Sequence, residues 1–214
     1  MTKAEKVYEL LKIDYPHAKC GLDYGSPFQL LVSTMLSAQA TDKSVNAVTK
    51  DIYREYPDLE SFLSLTLEEI EEKIKKIGLY KNKSKNIYKM LRELKERHNG
   101  EVPKSMEDLV ALSGVGRKTA SVVLVEAFNI PAFPVDTHVF RIAKRIGLAE
   151  GSTPDKVSDE MMAKLPKYKY HLMHHLLITH GRETCTAQNP KCNGCSVKSL
   201  CMYYKENNKK IARA

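Results

Sequence analysis

One local pattern recurs along this chain and restricts its fold: a capping residue, a stripe of apolar residues three or four positions apart, and a stop. Ser26 and Pro27 open "SPFQLLVSTMLSAQATD" as N-cap and first helical residue, and Phe28, Leu31, Val32, Met35 and Leu36 follow at helical spacing. Thr41 is placed to cap a helix over 42–55. Thr66 and Glu69 have capping-box spacing, with Ile70, Ile74 and Ile77 on one face and Gly78 as the expected stop. A basic amphipathic helix ends at Asn99-Gly100, and Ser105 and Asp108 form a further cap pair. Asp136 caps "VDTHVFRIAKRIGL", which stops at Gly147, and Thr153-Pro154 opens another helix before "YHLMHHLLITHGR". No apolar–polar alternation lasts long enough for a strand, so the expected class is all-α.

With 214 residues, 43% of them hydrophobic, the chain can bury a real core, as one compact domain or two small lobes. Its formal charge is +8, a balance that favours a polyanionic partner. "MTKAEKVYELLKID" has no apolar core of a signal peptide, and no stretch reaches the roughly 18 apolar residues of a membrane span. A cytoplasmic protein with reduced thiols is expected, so its five cysteines need an explanation other than disulfides.

"LSGVGRKTASVV" joins two of the expected helices through a glycine turn. With Gly114 and Gly116 around Val115, the bare backbone can approach an anion, and the N-terminus of the next helix adds positive partial charge. A nucleic-acid phosphate fits such a site without any base contact. Lys118 falls in the first turn of that helix, beside Arg117 and among apolar neighbours. The dipole, the like charge and partial desolvation all disfavour a cation there. A neutral amine is a nucleophile able to form a Schiff base. Asp136, as an N-cap, is a rigidly held carboxylate that could stabilise a developing cation or help move a proton.

Cys185, Cys192, Cys195 and Cys201 have the spacing C-x6-C-x2-C-x5-C. Four thiolates in one short segment can hold Zn²⁺ or an iron–sulfur cluster. The paired short knuckles of a zinc ribbon are missing, which favours the cluster. Arg182, Lys191 and Lys198 surround the segment and could face phosphates. Cys20 reads as a small apolar filler. His171 and His175 share a helical face near His180, but the glutamate of a zinc-protease motif is absent, so core or phosphate-contacting roles are expected.

"LSAQATD", "IGLYKNKSKNI", "HNGEVP", "LSGVGRKTASVVL", "VDTHVFRIAKR", "HHLLITHGR" and the cysteine quartet together resemble the endonuclease III family of helix-hairpin-helix DNA glycosylases. The resemblance spans nearly the whole chain. It implies a two-lobed all-α fold: a six-helix lobe over 21–131, and residues 1–20 with 132–214 forming a lobe that carries a [4Fe–4S] cluster on Cys185, Cys192, Cys195 and Cys201. DNA would lie in the cleft between the lobes. Lys118 matches the catalytic lysine and Asp136 the catalytic aspartate. Gln39 and Leu79 match the residues that fill the gap left by an extruded base. The hairpin residues Gly114, Val115, Gly116 and Arg117, together with His138, are expected to contact DNA. Leu79 follows Gly78 and is expected at an exposed tip beside Lys81, Lys83 and Lys85, an apolar wedge among cations. One departure is visible: the family usually has proline where this chain has Ser113.

The implied function is a bifunctional DNA glycosylase and abasic-site lyase. It would remove oxidised pyrimidines from duplex DNA by lysine Schiff-base chemistry and nick 3′ of the abasic site by β-elimination. Expected partners are double-stranded DNA with a damaged base or an abasic site, and no membrane. The expected state is a monomer in the prokaryotic cytoplasm, at the nucleoid. The alternatives are an adenine-mismatch-type glycosylase and a non-catalytic helix-hairpin-helix DNA-binding protein. The first has no lysine at position 118 and carries a further C-terminal domain. The second does not account for Lys118 and Asp136.

Overall fold

The computed structural model describes residues 1–211, the last four of them as backbone only. Every regular element among the described residues is helical. The chain forms two compact units, Gly21–Ile130 and Met1–Cys20 together with the chain from Pro131 onward. Helix α1 (Lys3–Asp14) opens the chain with a complete capping box between Thr2 and Glu5. Seven helices then build the Gly21–Ile130 unit: α2 (Pro27–Leu36), α3 (Asp42–Glu55), α4 (Leu59–Leu63), α5 (Leu67–Ile74), α6 (Tyr80–Arg97), α7 (Met106–Val110) and α8 (Arg117–Phe128). After them come α9 (Thr137–Ile146), α10 (Pro154–Lys164), α11 (Tyr170–Glu183) and α12 (Met202–Ile211).

In the Gly21–Ile130 unit, α2 is the central helix. Its sequence has no polar face, and Phe28 and every residue from Leu30 to Leu36 are buried. It packs against α8, α3 and α6. Two polar groups inside this core are satisfied locally. The Tyr53 hydroxyl donates to the Gln29 carbonyl at 2.8 Å and lies 2.6 Å from the Ser33 hydroxyl. Burial pushes the Tyr53 phenol well above its ordinary range, so it stays a neutral donor. The Thr66–Glu69 capping box forms as the spacing predicts. The helix it opens, however, ends at Ile74, four residues before the expected stop at Gly78. A tighter turn replaces its last part, with the Ile77 N–H donating to the Ile74 carbonyl at 2.8 Å so that Ile77 still reaches the core.

In the other unit, α9 and α11 form the main helix pair, and α1 packs on α11. Val139, Ile142, Ala143 and Ile146 supply the buried stripe of α9. Gly147, at φ 81°, ends α9 in the left-handed conformation that glycine tolerates best. Lys3 of α1 donates to the freed carbonyls of Ile146 and Gly147, at 2.5 and 3.2 Å, so the start of the chain caps the end of α9.

Candidate functional site

The hairpin between α7 and α8 depends on its first glycine. Gly114 sits at φ 78°, and a Cβ there would lie 2.6 Å from Cβ of Asn86 on α6, so both backbone conformation and space require glycine. Gly116 is different. It is the N-cap of α8, it offers no side-chain cap, and a Cβ there would meet nothing within 4 Å. Val115 between them is buried and anchors the turn. Just before it, both the N–H and the hydroxyl of Ser113 donate to the Glu93 carboxylate, at 2.6 and 2.7 Å. The turn is therefore pinned to α6 from two points. Its outer edge presents an uncapped helix start with open space over Gly116, a geometry suited to an anion.

Lys118 is the second residue of α8 and is exposed. The partial desolvation expected from its apolar flanks is not found, because Ala120 to Val125 turn inward while Lys118 turns to solvent. Arg117 is half-buried. In the other unit, Asp136 is the N-cap of α9, and its Oδ1 accepts the Val139 N–H at 2.7 Å. His138, the second residue of α9, is half-buried with its Nδ1 3.3 Å from an Arg141 guanidinium nitrogen.

Gln39 and Leu79 are 40 positions apart in sequence, yet they share a backbone peculiarity. Both are exposed non-glycine residues in the left-handed region, at φ 56° and 60°. Leu79, 56% exposed, is the N-cap of α6. A Cβ on Gly78 would come within 4.0 Å of the Gln39 carbonyl oxygen, so the two segments touch. Strained, exposed, apolar-tipped backbone of this kind gathers at functional sites. Of the three lysines expected around Leu79, Lys81 and Lys85 are exposed, but Lys83 is buried. Its ammonium donates to the carbonyls of Leu36 and Ala38 at 2.8 and 2.6 Å. It is not a surface cation, and burial pushes its pKa below the ordinary lysine value.

Cys185, Cys192, Cys195 and Cys201 are free thiols that line one pocket, together with Ile146, Val197 and Tyr204. Burial, and then the neighbouring thiolates, push the Cys192 and Cys195 thiols up. A bound cation would reverse that balance. The donor set and its apolar shell fit a thiolate-bound metal centre. The loop around them has almost no regular structure, so its carbonyls need outside donors. Arg145 donates to the carbonyls of Thr186 and Ala187 at 2.7 and 2.6 Å, and to Cys185 Sγ at 3.4 Å. Arg141 donates to the carbonyls of Gly181 and Cys185 at 2.9 and 3.1 Å. His180 is buried, which lowers its pKa to about 4. Its Nδ1 lies 3.0 Å from the Tyr15 hydroxyl and its Nε2 3.9 Å from Cys195 Sγ. Of the other histidines, His174 and His175 are core residues, and His171 is exposed. The two arginines are functional-site residues that the motifs alone do not single out; their i, i+4 spacing on α9 is the available signal.

An uncapped glycine hairpin leads into a lysine-bearing helix, and a four-thiol loop follows later in the chain. Residues 32–167 match the family model described as HhH-GPD superfamily base excision DNA repair protein. Endonuclease III of Bacillus subtilis is 46% identical over 197 residues, covering 92% of this chain and 90% of that protein. Endonuclease III of Escherichia coli K12 is 43% identical over 205 residues, covering 95% and 97%. Among solved structures, a trapped endonuclease III–DNA covalent intermediate matches with a TM-score of 0.90 at 40% identity, over 97% of this chain and 99% of that one. A thermostable thymine-DNA glycosylase, 22% identical, shares the fold with a TM-score of 0.83. The chain belongs to the endonuclease III family, the DNA glycosylase/abasic-site lyases of base excision repair.

Proposed function

We propose that the protein removes oxidised pyrimidines from duplex DNA and nicks the strand 3′ of the resulting abasic site, with Lys118 as nucleophile and Asp136 as its electrostatic partner. The observation that carries this reading is the hairpin itself: α8 has an open, uncapped start, and the exposed Lys118 is its second residue. Structures of endonuclease III both covalently trapped on DNA and non-covalently bound to it resemble this chain at a TM-score of 0.90.

The hairpin residues Gly114, Val115, Gly116 and Arg117 grip the backbone of duplex DNA, Val115 by holding the turn with its own N–H on the Leu112 carbonyl at 3.1 Å, and His138 adds a contact. A damaged base stacks poorly and is extruded at a lower cost, on the order of a few kcal/mol. Gln39 and Leu79 enter the gap it leaves. The deprotonated Lys118 amine attacks the sugar C1′ and the base departs with the glycosidic bond electrons. The Asp136 carboxylate stabilises the positive charge that builds on the sugar. The nitrogen loses one proton, its lone pair then breaks the C1′–O4′ bond while O4′ takes up a proton, and a protonated Schiff base remains. That cation acidifies the C2′ hydrogen. Its removal, assisted by Asp136, expels the 3′ phosphate as the C3′–O bond breaks.

The four cysteines would hold a [4Fe–4S] cluster, whose contribution is to fix the fold of the C-terminal loop. That loop, with exposed Lys191 and Lys198, would add backbone contacts. The unit over 21–131 would supply hairpin, wedge and nucleophile, and residues 1–20 with 132–214 the carboxylate and the cluster. No described helix is long and apolar enough to cross a membrane. A monomer acting at the nucleoid of a prokaryotic cytoplasm is the cellular setting we infer.

The test is borohydride reduction with abasic duplex DNA. A covalent protein–DNA adduct is expected with the natural protein and none with Lys118→Gln. An equal adduct in that variant would remove Lys118 from the mechanism. Base release and nicking, scored separately on a panel of oxidised pyrimidines, set the substrate range. Asp136→Asn should lower both by about a hundredfold or more.

A further inference from the structure

A buried lysine normally has a carboxylate beside it or gives up its charge. Lys83 has neither an acidic partner nor an exposed ammonium: it is 7% exposed, and its described side-chain partners are two backbone carbonyls. Those carbonyls are informative. Leu36 is the last residue of α2, and Ala38 lies in the turn that follows, so both are carbonyls that the helix end leaves without intrahelical donors. The turn continues into Gln39 and its left-handed backbone. Lys83 is also tied to the second segment. Its backbone N–H donates to the Leu79 carbonyl at 3.1 Å, closing the first turn of α6 behind Leu79. One residue thus holds the Gln39 turn with its side chain and the Leu79 cap with its backbone.

We propose that Lys83 is a positioning residue that locks Gln39 and Leu79 into a single two-pronged wedge, and that it is not a phosphate contact despite lying in the run Lys81, Lys83, Lys85. This rests on the gap-filling roles proposed above for those two residues. Two non-glycine residues held at positive φ would each relax if their turn were released, and the prongs would lose their common register. The ammonium donates to both carbonyls from a side chain that is itself buried. A leucine or methionine in its place would leave both carbonyls buried without a partner.

The experiment compares the full-length natural protein with Lys83→Met, Lys81→Gln and the pair Gln39→Ala/Leu79→Ala, each checked by thermal melting. A duplex with 2-aminopurine opposite an oxidised pyrimidine reports the wedge by fluorescence. Lys83→Met should reduce that signal change and lower kcat/KM for base release by about tenfold. The slope of log affinity against log salt should stay at the natural value for Lys83→Met and fall by about one for Lys81→Gln. In the Gln39→Ala/Leu79→Ala background, Lys83→Met should change the rate by less than about twofold, because the wedge it positions is already gone. Should Lys83→Met fail to fold, Lys83→Gln, too short to reach both carbonyls, takes its place. A salt slope lowered by about one, or a full tenfold effect in the wedge-less background, would overturn the assignment. If the natural protein releases no base at all, it is the proposed function that fails; if it does and Lys83→Met matches it, only the positioning role fails.

Discussion

The Gln39 turn and the cysteine loop face the same physical problem and solve it with different reserves. Each is irregular backbone whose carbonyls lack helical donors. Each borrows a cation from a neighbouring helix: Lys83 of α6 donates to two carbonyls in one case, and Arg141 and Arg145 of α9 donate to four in the other. The Gln39 turn is five residues long and lies between two well-packed helices, so one ammonium suffices. The cysteine loop runs from the end of α11 to the start of α12 with only two short 3-10 turns. Two guanidinium forks stitch one side of it, and the thiols face a pocket that fits a metal centre. The first turn is held by protein groups, whereas the second would be completed by the metal centre proposed for its four cysteines.

That contrast is broken most severely at the proposed cluster. Cys195→Ala should abolish iron loading and the visible absorption of the cluster, and the cysteine loop should lose its protection from proteolysis. The Gly21–Ile130 unit, which has its own core, should keep its helical signal. Simultaneous loss of helix in both units would show that the first turn also depends on the metal. Iron analysis, limited proteolysis and circular dichroism on one preparation decide this.

Next in size is Gly114→Ala. The left-handed backbone and the collision with Asn86 together should cost about 3 kcal/mol, measured by denaturant unfolding. Gly116→Ala is the sharper companion. With nothing within 4 Å of the added methyl, it should cost less than about 1 kcal/mol and should instead weaken DNA binding. Equal losses of stability at the two glycines would mean that Gly116 has a packing role the geometry does not show. Arg145→Leu should cost about 2 kcal/mol, since two bonds to loop carbonyls and one to a thiol vanish from a half-buried side chain. On a chain of this size, that lowers the melting temperature by about 4–8 °C. Iron should still bind, more loosely.

How much of this the sequence announces depends on whether a residue's role is local. Capping boxes at Thr66–Glu69, N-caps at Ser26, Thr41 and Asp136, and the stop at Gly147 involve partners within five residues, and all are legible. The cysteine quartet is legible because its ligands must lie close in space and here also lie close in sequence. Lys83 looks like its neighbours Lys81 and Lys85 by composition. A better signal is its phase: positions 83, 87, 90, 91 and 94 form the buried stripe of α6, and Lys83 occupies that stripe's first place. The early end of α5 was not legible, because Ile77 continues the apolar pattern whether the backbone is α-helical or tightly turned. Lys118 misled in the other direction. Apolar neighbours in sequence are on the inner face of α8, and a residue at its exposed start does not share their burial.

The smallest expected effect concerns Ser113, where this chain departs from the proline usual in its family. Proline has no N–H to give, so a chain with proline there cannot hold Glu93 as this one does, through both backbone N–H and hydroxyl. Proline stiffens the approach to the hairpin by restricting φ in the unfolded chain as well as the folded one. Serine instead stiffens it by a charge-assisted clasp to α6. The two devices are alternatives, and they differ in what they depend on: the clasp needs Glu93, the ring does not. Ser113→Ala and Glu93→Ala should therefore each cost about 1 kcal/mol and should not add, with a coupling energy of about the same size in a double-mutant cycle. Ser113→Pro should make stability indifferent to Glu93→Ala. Additive losses from Ser113→Ala and Glu93→Ala would show that Glu93 supports α6 independently of the hairpin, and that the serine contributes no more than its hydroxyl.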